Sequence, residues 1–323
     1  MINLEPVRWP TYIWYGMSII TIPIYLLVVI CLLRLRMISK IYKTTFYTLL
    51  LQHSLADLLT MFFYFILMVL REFQPIRQFY FDYQEYYIAS ASYNFTYYFL
   101  YIRCSGIILL TIQRFIIINS SGSRFSHAVQ STSTWKIILI LWSFPTIISL
   151  VVLKDTEIRY NNVEDMALIV DRSLTMRNTT MGLCITSMTC FICSALYVSI
   201  AYSIRKRTSL TNNSRSLRRE LLVAIQIFIL VIAFFGVFLY CGFQNYFTRN
   251  RDVLGTGPIY FMRSVYPLAS GILSYLNPFC ILFLNKEFSN QVRQMVICKK
   301  LVVISTISTV PSMSNRTSPN LKF

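Results

Sequence analysis

The sequence predicts an all-α membrane protein, a bundle of seven transmembrane helices with its N-terminus outside and a short amphipathic helix after the seventh span. Three observations predict it. Of 323 residues, 55% are hydrophobic and only 13% are charged, against about 25% charged in a soluble domain. Seven stretches approach or exceed the roughly 20 apolar residues that cross a hydrocarbon core as a helix. The excess of Lys and Arg falls entirely on one side of those stretches.

The stretches lie near 12–33, 46–70, 93–112, 137–153, 181–204, 221–243 and 259–284, the last most apolar from Tyr266 onward. The third is the least apolar, with Asn94, Thr96, Arg103 and Ser105 inside it, and the fourth is short. All must be helices, because in lipid every backbone N–H and C=O needs an internal partner. A closed barrel would meet that demand too, but its strands alternate apolar and polar residues, and Ile24–Leu33 and Leu222–Leu239 do not. The first stretch reads as a retained span. It is longer than a signal core, has no basic start or A-x-A-like site, and is closed by Arg34 and Arg36. Residues 1–298 then form the membrane domain and 299–323 a disordered cytoplasmic tail, whose serines and threonines could accept phosphate.

With the N-terminus outside, the inner segments hold nineteen Lys and Arg against Glu220 and Glu287. The outer segments hold ten bases and ten acids. The formal net charge of +17 is therefore a cytoplasmic feature. It marks orientation and offers a surface for anionic lipid or an acidic partner, and it gives no reason to expect nucleic acid. Two histidines and eight scattered cysteines form no metal-binding pattern, and no cofactor motif appears. Paired catalytic carboxylates, H-E-x-x-H and G-x-S-x-G are also missing, so no enzyme is predicted.

One acid and one base remain within the spans. Asp57 lies eleven residues from Phe46, and Arg103 eleven residues from Arg114. At 1.5 Å per residue both sit roughly 16 Å above the inner boundary. Charge at that depth is costly and should face the bundle interior. Either the two form a buried ion pair, or each is solvated separately by neighbours such as His53, Ser54, Ser105 and Asn277. Asn277-Pro278 is expected to break the seventh span about two turns from its inner end.

At the inner ends, Gln113-Arg114-Phe115 closes the third span, where a basic residue ordinarily anchors topology. Phe288, Val292, Met295 and Val296 recur at helical spacing within 286–298, an amphipathic helix expected to lie on the inner leaflet. Cys298, before Lys299 and Lys300, reads either as a palmitoylation site or as a free thiol. In the outer half, the aromatic run from Tyr80 to Tyr98 suits an interfacial belt or a ligand pocket. Tyr93, Tyr97, Tyr98 and Arg263 are the pocket candidates, with Arg263 placed to meet an anionic ligand group or a lipid headgroup. Asn94 and Asn178 are the two N-x-S/T sequons that topology leaves outside.

Together these pieces resemble a rhodopsin-like G-protein-coupled receptor. Ser54-Leu55-Ala56-Asp57 resembles that superfamily's second-span motif, and Gln113-Arg114-Phe115 its Asp-Arg-Tyr. Trp142 and Pro145 resemble its fourth-span pair, and Asn277-Pro278-Phe279-Cys280-Ile281 its Asn-Pro-x-x-Tyr. Phe288 falls where the family's eighth helix opens. More closely, Ile22-Pro23-Ile24-Tyr25, Leu32-Leu33-Arg34-Leu35-Arg36 and Ser274-Tyr275-Leu276-Asn277-Pro278-Phe279 make the chain similar to nematode serpentine chemoreceptors of the Srg superfamily, class V. The likeness runs from about Tyr12 to Cys298. The first-span Asn and the sixth-span Cys-Trp-x-Pro are missing, the latter replaced by Tyr240-Cys241-Gly242. No cysteine lies between Lys154 and Thr180 to take the usual disulfide from the third span.

The resemblance implies a chemosensory receptor that binds a small external ligand among the outer halves of its helices and activates a heterotrimeric G protein. Arg114, flanked by Gln113 and Phe115, would be the switch; Asp57, Arg103 and Asn277 the polar core; Pro278 the hinge. It also implies a multi-pass plasma-membrane protein, with the sensory cilium of a chemosensory neuron as a candidate location. A transporter or ligand-gated channel subunit is the alternative, but internal repeats and paired broken helices are not found.

Overall fold

A computed structural model describes residues 9–120, 123–210 and 215–296. Seven helices in it are long and apolar enough to cross a membrane. In chain order these are α1 (Trp9–Ile38), α2 (Thr45–Tyr64), α4 (Ala89–Asn119), α6 (Thr134–Leu153), α7 (Arg172–Leu210), α8 (Arg215–Arg249) and α10 (Gly257–Leu284). Four short α-helices lie between or after them: α3 (Gln74–Asp82), α5 (Arg124–Gln130), α9 (Arg251–Leu254) and α11 (Lys286–Val296). The one hairpin pairs β1 (Arg159–Tyr160) with β2 (Leu168–Ile169), antiparallel, with Tyr160 opposite Leu168.

Six of the expected spans lie within single α-helices, and 46–70 runs through α2 into the π and 3-10 turns that follow it. The 39 residues of α7 rise about 58 Å at 1.5 Å each, so its ends extend beyond a core of roughly 30 Å. Hydropathy marks the part in hydrocarbon, not the whole helix. Two expectations change as a result. Gln113-Arg114-Phe115 lies more than a turn inside α4, which continues to Asn119. Asn277-Pro278 does not break the seventh span, because α10 runs unbroken through Pro267 and Pro278 to Leu284.

The weak apolarity of the third stretch has a structural cause. α4 is the central helix, packed against α2, α6, α7 and α8, and has the largest buried share of any span. Its polar residues face protein, while Ile19, Ile147, Phe191 and Val198 on the peripheral helices turn outward, as lipid-facing residues do. Close approach of α2 to α4 depends on Gly106. A Cβ there would stand 2.4 Å from Nδ1 of His53, whose side chain is fully buried.

The outer end of α2 widens into a π turn at Phe65–Val69 before a 3-10 turn at Leu70–Glu72. Carbonyls in the widened turn find side-chain donors: Tyr80 Oη donates to Ile66 O (2.6 Å) and Ser92 Oγ to Leu67 O (3.1 Å). This meets the rule that backbone groups at membrane depth must be satisfied. Before α4 the chain turns sharply at Tyr87, a non-glycine residue at φ 70°, a conformation that costs roughly 1–3 kcal/mol. Tyr87 Oη donates to Leu153 O at the end of α6 and accepts from Asn94 Nδ2 (3.0 Å), which holds the turn in place.

At the inner end, Arg36 reaches across two helices, donating to Thr48 Oγ1 of α2 (2.7 Å) and Thr134 Oγ1 of α6 (2.5 Å). Trp142 Nε1 donates to Gln52 Oε1 (3.0 Å), which gives the fourth-span tryptophan a bond between α6 and α2. The amphipathic helix departs from expectation. Phe288 and Val292 of α11 are buried in the bundle, with Phe288 6.4 Å from Tyr42 by ring centroids. Phe288 and Val292 therefore face protein and not lipid. Cys298 and the 299–323 tail lie outside the described residues.

The Gly106 contact makes a direct prediction. Gly106→Ala should destabilise the purified protein by roughly 1–3 kcal/mol, the range for overpacking a filled core. Adding His53→Ala should recover most of the loss. Thermal melting of the two single variants and the double variant checks both expectations.

Candidate functional site

The charges that hydropathy left inside the membrane meet at the bundle's midsection. Arg103 Nε of α4 stands 2.9 Å from Asp57 Oδ1 of α2, and both side chains are at most 1% exposed. Pairing and polar solvation, the two alternatives open from sequence, coexist. Tyr25 Oη of α1 donates to Asp57 Oδ2 (2.7 Å), and Asn277 Nδ2 of α10 donates to the same oxygen (3.2 Å) and to Tyr25 Oη (2.6 Å). Ser274 Oγ lies 3.4 Å from Asp57 Oδ1. Arg103 spends its other two nitrogens on α10: Nη1 donates to Ser270 Oγ (2.8 Å) and Nη2 to Ser270 O (2.9 Å).

Four helices thus share one buried ion pair. The attraction is strong because the surroundings are apolar, and desolvation offsets it unless the remaining lone pairs and protons are also matched. Here Tyr25, Asn277 and Ser274 complete the carboxylate, and Ser270 completes the guanidinium. His53 Nε2 lies 3.8 Å from Asp57 Oδ2, and neither ring nitrogen has a hydrogen-bond partner. Ser105, a possible solvator by sequence, is half-buried and takes no part in these bonds among the described residues. Sequence reading missed Tyr25, Ser270 and Ser274. Tyr25 was within its reach, since it lies eleven residues from Arg36, the same depth that singled out Asp57 and Arg103.

Below this centre, Arg114 is 8% exposed and its guanidinium carbon lies 3.6 Å from the ring centroid of Phe46. Gln113 beside it is buried, and Phe115 is half-buried. Thr45 Oγ1 donates to Val129 O (2.6 Å), tying the helical inner loop α5 back to α2.

In the outer half the structure divides the pocket candidates. Tyr93 and Tyr97 are buried with Oη atoms 3.4 Å apart, and Arg263 lies over the Tyr93 ring at 5.8 Å. Tyr98 does not join them. One residue on from Tyr97 it turns toward α6, where its hydroxyl lies 3.3 Å from Thr146 Oγ1. The sequon readings are corrected as well. Asn94 and Asn178 are both 0% exposed. Asn94 Nδ2 donates to Tyr87 Oη and to Asp155 O (2.9 Å), and Asn178 Oδ1 accepts from Arg177 Nε (3.1 Å). A glycan on either amide is incompatible with this packing.

The β1–β2 hairpin covers the outer mouth without a covalent tie. All seven cysteines among the described residues are free. Ile158, Tyr160, Met166 and Leu168 bury their side chains. Gln84 Oε1 accepts from Tyr160 N (2.7 Å), Arg77 Nη1 donates to Glu164 O (2.8 Å), and Arg177 pairs with Asp155. The following helix is capped by Asp171, which accepts from Ser173 N (2.8 Å) and from the Ser173 hydroxyl. Those bonds hold the Asp171 carboxyl below its ordinary pKa.

With seven spans, the midsection centre and the buried inner arginine described, the comparison with known families is decisive. Residues 14–298 match the family described as serpentine type 7TM GPCR chemoreceptor Srv. The chain belongs to the Srv family of serpentine chemoreceptors. This is a receptor family and not a family of enzymes. Among curated proteins none matches the chain. Membership in Srv makes the chain a multi-pass membrane protein of the seven-helix G-protein-coupled class.

The ion pair can be tested by a thermodynamic cycle. Asp57→Asn or Arg103→Gln alone should cost about 3–5 kcal/mol, since each leaves one buried charge uncompensated. The double variant should cost clearly less than the sum of the two. Melting temperatures of the four proteins in one lipid environment measure the coupling, and strict additivity would show that the two charges do not interact.

Proposed function

We propose that this Srv protein is a chemosensory receptor that binds a small external ligand between the outer halves of its helices and activates a heterotrimeric G protein at its inner face. The observation that carries the reading is the placement of Arg114. It lies beneath a four-helix polar centre, inside α4, stacked on Phe46 of α2. A ligand that prefers one arrangement of α4, α2 and α10 over another shifts the population between them. The centre gives those helices a shared contact through which such a preference can reach the inner end.

In this reading the stacked Arg114 belongs to the resting arrangement. Activation swings it away from Phe46 and opens the inner face to the G protein. Gln113 and Phe115 flank the switch, Asp57, Arg103 and Asn277 form the polar core, and Pro278 is where the continuous α10 would bend on activation. The plasma membrane, with the sensory cilium of a chemosensory neuron as its specialised site, is the proposed location. The basic inner surface suits contact with anionic lipid headgroups there.

The test is a small-molecule screen in cells, read by calcium or cyclic nucleotide. Arg114→Ala should abolish the agonist response at normal surface expression. Phe46→Ala should raise basal signalling about two- to thirty-fold, the population shift that corresponds to losing a cation–π contact of ~0.5–2 kcal/mol. Normal signalling by Arg114→Ala would remove that residue from the mechanism. Ion flux through purified protein in vesicles, without any G protein, would instead favour a channel.

A further inference from the structure

An open cleft lies at the outer face, beside the hairpin and above the polar centre. It lies between the end of β2, the start of α7 and the start of α10, with a free volume of about 460 Å³ that includes the open solvent at its mouth. Three arginines line it, Arg172, Arg251 and Arg263, and no acid does. Arg172 is already matched, since its two terminal nitrogens grip both oxygens of Asp252 at 2.7 and 2.6 Å. Among the described ion pairs, Arg251 and Arg263 take no part.

Arg263 is held by rings instead of carboxylates. Its guanidinium carbon lies 5.8 Å from the ring centroids of both Tyr93 and Tyr260. Its Nη1 donates to the carbonyl of Leu168 at 3.2 Å, while its Nε is buried and has no acceptor. A guanidinium presents a planar fork that a carboxylate or phosphate fills with two parallel bonds, and one long bond to a neutral carbonyl matches it poorly. The N-terminus of α10, at Thr256 and Gly257 on the same wall, adds the positive end of a 28-residue helix. The N-terminus of α7 adds little, because Asp171 already caps it. Val170, Ile259 and Tyr260 supply an apolar wall.

We infer that this cleft receives an anionic group on a small apolar body, an organic acid in the first instance, with Arg263 as its principal partner and Arg251 as the second cation. The inference names the ligand class for the receptor reading above and rests on it. Binding exchanges the Leu168 carbonyl for the ligand's anionic group. That removes the bond from α10 to β2 and so couples occupancy to the hairpin. An anionic phospholipid headgroup carries the same chemistry, and the experiment separates the two sources.

The full-length receptor is placed in nanodiscs of pure phosphatidylcholine. Its melting temperature is measured with acetate, hexanoate and phenylacetate, each against its neutral amide. At saturating concentration an acid of this series should raise melting by about 2–4 °C where its amide does not. Arg263→Gln should remove the difference, Arg251→Gln should reduce it, and Arg263→Lys should keep part of it. Should Arg263→Gln fail to fold, Thr256→Trp, which fills the cleft without altering a charge, must remove the difference. Discs containing phosphatidylglycerol form the second arm. A rise in wild type that Arg263→Gln lacks, and that blunts the response to acid, assigns the headgroup as the source. If acids and amides act alike and anionic lipid does not distinguish wild type from Arg263→Gln, the inference is overturned. The assay reads binding alone, so a failure of G-protein coupling leaves its outcome unchanged.

Discussion

A single ion pair in a medium without water constrains much of this protein. Asp57 and Arg103 stand 2.9 Å apart at the bundle's midsection, where neither charge is tolerable alone. Once paired, they still carry unfilled lone pairs and protons, and filling them recruits α1 through Tyr25 and α10 through Ser270, Ser274 and Asn277. The register of four helices is thereby tied to one point. Polar residues that look like interruptions in the apolar stretches are what specify which helix faces which.

Much of this could be read from the chain before any coordinates. The spans follow from apolar length alone, and the depth of Asp57 and Arg103 follows from counting along two helices. What stayed hidden was mostly direction around a helix axis. Tyr97 and Tyr98 are adjacent in sequence, yet one meets Tyr93 within α4 and the other faces Thr146 of α6. The sequons at Asn94 and Asn178 satisfy a three-residue pattern that carries no information on burial, and both amides are fully enclosed. The apolar stripe of α11 was clear, but a stripe does not say whether lipid or protein covers it, and Phe288 settles against Tyr42. Apolar length also understates the helix ends, because a helix does not stop where hydrocarbon does.

The two ends of the bundle are built on different physics. The inner end is held by donors that cross between helices, with Arg36 joining α2 to α6 and Thr45 joining α2 to the α5 loop. Its basic residue Arg114 is stacked on an aromatic face and withdrawn from solvent. The outer end is a patchwork of buried tyrosines, a two-residue-strand hairpin and exposed ion pairs such as Arg172–Asp252. Between them, the Gly106–His53 contact lets α2 and α4 approach closely enough for the central pair to form.

The hairpin over the outer mouth bears on how such a receptor is made. The receptor's outer segments contain no cysteine, and the hairpin is held by Gln84, Arg77, Asp155, Arg263 and a few buried side chains. Closing this lid therefore requires no oxidant and no disulfide isomerase during biosynthesis, and thiol reductants have nothing there to cut. Its grip is set by ionic strength and by the quality of a few hydrogen bonds. A chain of this kind can vary its outer surface one contact at a time, without passing through an intermediate that has lost a covalent staple.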